Sequence, residues 1–241
     1  MQAGLYVALS AQVALDRRLT TLASNIANMS TPGYRAEEVE FKSLVSRTGP
    51  EPVAFSSNGA PFISRRQGVP IKTDNPLDVA VQGEGWLALE TPSGTVYTKD
   101  GRMRMEESGA LVSVDGYPVL DAGATAILLD PDGGPPHVAQ DGMITQNGRQ
   151  IGAIGVFRLD PQAKLARFEN SAVKSDLPAE AELDFSNNGL AQGFIEGANV
   201  NPVLEMAKLI MVTRAFDGIN AATEGAESSL KSAIKTLGGQ S

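Results

Sequence analysis

The stretch LYVALSAQVALDRRLTTLASNI, from Leu5 to Ile26, contains neither proline nor glycine. Within it Leu5, Ala8, Gln12, Leu15, Leu19, Leu22 and Ile26 recur at alternating gaps of three and four residues. That spacing lines the side chains along one stripe of a helix and reads as a heptad seam whose only polar member is Gln12. Asp16, Arg17 and Arg18 fall off the stripe. The pattern predicts a helix over residues 4–28, roughly 37 Å long at ~1.5 Å per residue. It should end at Asn28-Met29-Ser30-Thr31-Pro32-Gly33. Pro32 disfavours helical backbone at Thr31, and Gly33 supplies a turn.

The other end of the chain carries a matching signal. Asn201 is a strong helix cap and Pro202 is favoured at a first helical position. No proline follows it. Met206, Leu209, Thr213, Phe216, Asn220, Thr223, Glu227, Leu230, Ile234 and Leu237 step by three and four again, apolar at both ends and polar in the middle. A helix over 202–237 would run roughly 54 Å. Gly218 and Gly225 lie inside it and, with Ala221, Ala222 and Ala226, make a smooth stripe that another backbone could approach. Both helices are also apolar off these stripes, at Tyr6, Val7, Leu9 and Val13 and at Ile210, Met211, Val212 and Ile219. A helix apolar over most of its circumference is covered on most sides. Other copies or other chains are the simplest cover.

Between the ends the period changes. Short apolar segments recur at Leu77–Val81, Trp86–Leu89, Thr95–Thr98, Leu111–Val114, Ile127–Leu129 and Ile151–Leu159. They alternate with Ser93-Gly94, Asp100-Gly101, Ser108-Gly109, Asp115-Gly116, Asp132-Gly133, Asp141-Gly142 and Asn147-Gly148. Such pairs supply the positive φ of tight hairpins, and many short strands between them imply an antiparallel sandwich or barrel. The expected fold class is therefore α+β. Long N- and C-terminal helices, from residues 1–30 and 200–241, form a coiled-coil-like assembly domain. Extended arms over 31–70 and 185–199 join it to a central antiparallel β-rich domain over 71–184.

Charge divides the chain in the same way. Of 241 residues, 20 are Lys or Arg and 28 Asp or Glu, a net charge of -8. Residues 1–28 sum to +1 and residues 202–241 to zero, so the middle carries -9. Neutral ends approach other chains more readily than an acidic middle does. The balance argues against nucleic acid and against a polybasic membrane anchor. With no cysteine there is neither disulfide nor thiolate chemistry, and His137 is the only histidine. No run approaches the ~20 apolar residues of a spanning helix. The first residues lack the basic-then-apolar order of a cleaved secretory signal. The chain should be soluble as made, and either stay in the cytoplasm or leave by a route that reads no cleaved signal.

No catalytic, cofactor-binding or metal residue is assigned. Gln82-Gly83-Glu84-Gly85 precedes a strand-like segment rather than the helix a dinucleotide turn needs. Asp130-Pro131-Asp132-Gly133-Gly134 lacks the spaced ligands and closing glutamate of a calcium loop. No Gly-x-Ser-x-Gly elbow accompanies His137. A carboxylate pair for glycoside cleavage would need a sugar cleft, and aromatic residues are few.

Three motifs carry a family resemblance. Ser24-Asn25-Ile26-Ala27-Asn28-Met29-Ser30-Thr31-Pro32-Gly33-Tyr34-Arg35 resembles the N-terminal signature of the bacterial flagellar rod and hook proteins. Pro76-Leu77-Asp78-Val79-Ala80-Val81-Gln82-Gly83-Glu84-Gly85-Trp86 resembles the core of their β-domain, continued by Tyr97–Gly101 and Asp115–Leu120. Gly197–Met206, then Arg214-Ala215-Phe216, is similar to their C-terminal signature. Pro32, Tyr34 and Trp86 depart mildly from the common pattern of Thr, Phe and Phe. The short length and the start almost directly at Leu5-Tyr6-Val7 most resemble the proximal-rod members, whereas distal-rod relatives usually carry a longer arm after the first motif. The alternatives are a distal-rod or hook-type relative, a secreted β-domain adhesin, or an acid-dependent cell-wall hydrolase.

The resemblance implies a structural, non-enzymatic rod subunit that transmits torque from motor to hook. It implies export by the flagellar type III apparatus without a cleaved signal, and residence in the periplasmic basal body. The partners would be other rod proteins and further copies, with no nucleic acid and no membrane insertion. Together with the helical stripes, it implies subunit contacts through Leu5, Leu9, Gln12, Leu15, Leu19, Leu22, Ile26 and Asn28. On the C-terminal helix they would be Met206, Leu209, Ile210, Thr213, Phe216, Asn220, Leu230, Ile234 and Leu237.

Overall fold

A computed structural model describes residues 2–40, 43–46, 53–57, 59–186 and 188–238. The chain divides into two compact units. The first comprises Met1–Ala27, Glu37–Pro61 and Asn201–Ser241, and the second Asn28–Ala36 and Phe62–Val200.

The first unit contains helices α1 (Gln2–Ala27) and α2 (Pro202–Gly238) and strands β1 (Glu37–Glu40), β2 (Ser43–Ser46) and β3 (Val53–Ser56). Helix α2 starts where its cap dictates. Asn201 Oδ1 accepts the Leu204 amide at 3.1 Å, and the Asn201 carbonyl accepts the Glu205 amide at 3.0 Å. The two helices run antiparallel, since Gln12 in the middle of α1 bonds Asn220 in the middle of α2, while Asn25 near the end of α1 bonds Glu205 early in α2. Strands β2 and β3 form an antiparallel hairpin with Ser43 opposite Ser56, and β3 lies against α1.

The expected fold class is overturned here. Among the described residues the chain is mostly β, with nineteen strands, a shorter N-terminal helix of 26 residues and one long C-terminal helix of 37. There is no coiled coil along both helices. The side of α2 that is shielded carries Glu205, Leu209, Val212, Phe216, Ile219 and Thr223, and beyond Thr223 every described side chain of α2 is exposed. Val212 and Ile219, expected off the seam, are on it. A three-four repeat marks any amphipathic helix; only continuous burial on a partner makes a coiled coil. Here α1 is eleven residues too short to follow α2 and shares its surface with β3.

Parts of the expected arms are paired strands instead, Ala60–Ile63 in the first and Gly189–Gln192 and Phe194–Glu196 in the second. After β4 (Ala60–Ile63) come β5 (Pro70–Lys72) and β6 (Val79–Gln82), whose partners are β19 (Phe194–Glu196) and β18 (Gly189–Gln192). In the sequence these segments show few periodic apolar runs. Pairing between segments more than a hundred residues apart leaves no local trace of that kind.

The rest of the second unit is built on one antiparallel sheet of six strands in the order β15-β16-β8-β7-β14-β17. These are β7 (Trp86–Thr91), β8 (Gly94–Thr98), β14 (Val156–Leu159), β15 (Leu165–Phe168), β16 (Ala172–Ser175) and β17 (Ala179–Ala181). Smaller ribbons pair β9 (Met103–Met105) with β10 (Leu111–Ser113), and β11 (His137–Val138) with β12 (Met143–Gln146) and β13 (Arg149–Ala153). The β12–β13 hairpin turns on Asn147-Gly148, both at positive φ (48° and 73°), as the sequence pattern requires. Asp100-Gly101 does something else: a Cβ on Gly101 would lie 1.7 Å from the Val79 carbonyl, so this glycine permits β6 to approach closely.

Strand β7 is buried on both faces. Leu87 and Leu89 enter the main core with Val79, Val81, Val96, Leu111, Val119, Ile144 and Val156. Trp86 and Ala88 point the other way into two smaller clusters, Trp86 with Ile63, Leu159 and Val173.

Candidate assembly site

Two features stand out: the outward apolar faces of the helices, and a buried charge cluster in the second unit.

On α1, Tyr6, Leu9 and Val13 are 61%, 54% and 46% exposed, at spacings of three and four that make one stripe. On α2, Val203, Met206 and Ile210 repeat the same spacing at 79%, 44% and 54% exposure, flanked by Leu204 and Met211 and followed by Ile234. Contiguous exposed apolar surface of this kind is a feature of interaction sites, and these stripes are the candidate here. Of the other residues read from sequence as contacts, Leu22 is buried, while Leu15, Leu19, Ile26, Asn28, Leu209 and Phe216 are half-buried. Thr213 is exposed, its hydroxyl donating back to the Leu209 carbonyl. Gln12 and Asn220 are brought together by the hydrogen bond between their side-chain amides. Leu5, Leu230 and Leu237 sit on helical backbone, but their side chains lie outside the described residues. No described helix is long and apolar enough to cross a membrane.

Sequence reading missed the polar lock between the helices. Asn25 is buried; its side-chain NH2 donates to the Glu37 carbonyl at 2.9 Å and to Glu205 Oε2 at 3.2 Å, and its oxygen accepts the Glu37 amide. Glu205, also buried, holds Lys208 at 2.7 Å. A buried amide in an apolar helix and a carboxylate in a first helical turn were the only hints.

It also missed the charge cluster. Arg35 and Lys99 are each about 1% exposed and Glu196 about 5%. Arg35 Nη2 lies 2.8 Å from Glu196 Oε1, and Lys99 Nζ lies 3.8 Å from Glu196 Oε2. Both cations stand 5.6 Å from the centre of the Trp86 ring, close enough for its negative face to attract them. Arg35 Nη1 also donates to the Arg66 carbonyl, Lys99 Nζ to the Gly83 carbonyl at 2.8 Å, and the Gly68 amide to Glu196 Oε1 at 2.6 Å. Two buried cations thus share one carboxylate. Arg35 Nε and Glu196 Oε2 make no hydrogen bond among the described residues. Burial pulls the Lys99 ammonium down to about 8, with Glu196 opposing the shift and Arg35 reinforcing it. Burial also lowers Arg35, with Glu196 opposing. Next to the cluster, Arg167 stacks 4.4 Å from the centre of the buried Tyr34 ring.

Gly33 explains how this fits. Its φ is +69°, and a Cβ there would fall 2.1 Å from the Asp100 amide nitrogen, so only glycine lets the segment before Arg35 cross the end of β8.

The comparisons with known proteins fall on these elements. Residues 5–35 match the family described as flagella basal body rod protein. Residues 80–146 match the flagellar hook protein FlgE/F/G D1 domain, and 191–235 the flagellar basal body rod FlgEFG protein C-terminal region. Arg35, then Trp86 with Lys99, then Glu196 come one from each matched segment. The flagellar basal-body rod protein FlgF of Mesorhizobium japonicum is 49% identical over 241 residues, covering all of both chains. The protein of that name from Rhizobium meliloti is 46% identical over 239 residues, 99% of each chain, and that from Caulobacter vibrioides 32% over 243 residues, again 99% of each. With three matched segments in order and end-to-end identity to proteins of one name, the chain belongs to the flagellar basal-body rod proteins, and within them to the FlgF-like members.

Proposed function

We propose that this chain is a proximal-rod subunit that assembles through the outward apolar stripes of α1 and α2. In this reading residues 1–30 and 200–241 supply the assembling part, and the acidic segment 71–184 stays on the outside. Leu9, Met206, Ile210 and Ile234 meet neighbouring copies or other rod proteins. The chain reaches the periplasm through the flagellar export apparatus without a cleaved signal, acts without catalysis, and passes torque from motor to hook. The absence of cysteine suits passage as an unfolded chain. The observation that carries the reading is the pair of matched stripes, Tyr6-Leu9-Val13 and Val203-Met206-Ile210, left uncovered on helices whose opposite sides are shielded there. Burying such stripes among subunits contributes about 25 cal/mol per Å² of apolar surface.

The test places the double variant Leu9→Asp, Ile210→Asp as the sole copy in a flagellated cell. Loss of hooks and filaments, with the purified monomer as stable as before, supports the reading. A full complement of rotating flagella rules it out.

A further inference from the structure

The chain passes between its two units at four places, after Ala27, Ala36, Pro61 and Val200. Inside the second unit, the segments next to all four passages converge on Glu196 and Asn199. The Gly33 amide donates to the Glu196 carbonyl at 2.7 Å, and Arg35 pairs with its carboxylate at 2.8 Å. The Ala36 amide donates to Asn199 Oδ1 at 2.6 Å, and the Asn199 amide to the Tyr34 carbonyl at 3.2 Å. From the side of Pro61, the Ser64 amide donates to the Ala36 carbonyl at 2.8 Å. Asn199 Nδ2 donates to the Arg66 carbonyl at 2.7 Å, and the Gly68 amide to Glu196 Oε1 at 2.6 Å.

Two buried cations on one carboxylate, with an unbonded Arg35 Nε, is a costly way to fill a core. An apolar cluster of equal volume would pack as well. It would not hold three separate backbone segments to one point, because apolar contact has no direction, whereas a carboxylate fixes the donors it accepts.

We propose that Glu196 is a positioning residue that clasps the roots of both helices, so that the second unit receives strain from α1 and α2 as one body. The mechanical meaning of the clasp rests on the rod reading above; the clasp itself does not.

Amide hydrogen exchange on the full-length chain tests it. Breaking a buried pair by removing one partner exposes the other, and Glu196→Gln should speed exchange at Gly33–Ala36 and Gly197–Asn199 together by roughly 100-fold. Exchange within the β7–β8 pair should stay as it was. Arg35→Met should loosen the same two segments to the same degree, and the double variant should go little further, as expected of two groups acting as one. Additive effects, loosening of Gly197–Asn199 alone, or equal loosening of the whole unit would each overturn the clasp. In cells, Glu196→Gln should leave the number of flagella unchanged while rotation fails at lower viscous load. Normal rotation at every load, with the exchange result intact, would keep the clasp and remove its mechanical role. Flagella unaffected even by deletion of the whole chain would instead reject the rod reading.

Discussion

Glu205 Oε2 accepts a hydrogen bond from the Asn25 side chain at 3.2 Å, and both groups are buried between α1 and α2. Asn25 simultaneously holds the backbone of Glu37 by its amide and its carbonyl. One side chain therefore sets the register of two helices and the first strand. Asn25→Ala should cost about 2–3 kcal/mol in urea unfolding, because it takes the Asn25 donor from buried Glu205 Oε2, leaving the carboxylate its Lys208 contact alone, and loses both bonds to the Glu37 backbone. Asn25→Asp should be worse at neutral pH, with two carboxylates face to face, and should recover as one of them protonates in acid. If the Asp variant were as stable as the parent at pH 7, the contact would not be the register device described.

Lys99 predicts an alkaline rise in stability. Its folded value of about 8 lies below the ordinary 10.5, so between these values the unfolded chain binds more protons than the folded one. Stability from this group is fully present above about 10.5 and is lost as the pH falls through 8. The gain across that window is up to ~3 kcal/mol. Lys99→Met should be flat over the same range. The informative quantity is the difference in unfolding free energy between parent and variant at pH 7.5 and pH 10, since surface titrations cancel in it. A difference that does not change with pH would mean the ammonium is not paying for its burial.

Two glycines at positive φ should respond unequally to a methyl group. At Gly148 nothing lies within 4 Å of the added Cβ, so Gly148→Ala meets only the backbone preference, about 1 kcal/mol. At Gly33 the Cβ would also collide with backbone at Asp100, where nothing flexible can yield. Gly33→Ala should cost at least ~3 kcal/mol in thermal unfolding and disturb the Arg35 cluster with it.

Asn201 caps α2 through the Leu204 amide. Asn201→Ala should lower stability by about 1 kcal/mol, Asn201→Asp by less than half of that. Circular dichroism during thermal unfolding would register the loss as earlier fraying of helix signal.

The ends of this chain were the legible part at the level of single elements, and for a physical reason. A cap at Asn201-Pro202 and an uninterrupted apolar repeat from Leu5 are local signals, and each shaped backbone within a few residues of itself. The fold class was not legible, because it depended on what covers those repeats. Val212 stands in place of Thr213 on the covered side of α2, as Glu205 does in place of Met206, a shift of one residue that the repeat alone could not distinguish. The supposed arms hid strands whose partners lie far along the chain, such as Ile71 opposite Ile195. The charge cluster left the least trace of all. Arg35, Lys99 and Glu196 are ordinary charged residues in segments that look solvated, and nothing in their spacing says that they meet. The resemblance to rod and hook proteins marked the neighbourhoods of all three, though not their contact.

Trp86, held 5.6 Å from both cations, is the one tryptophan in the sequence. A buried indole beside fixed positive charge emits at a different wavelength from one in water. The protein therefore carries a built-in optical gauge of its own closure. A stopped-flow trace of refolding, excited at the indole alone and needing no label, would time the moment at which segments from the beginning, middle and end of the second unit come together.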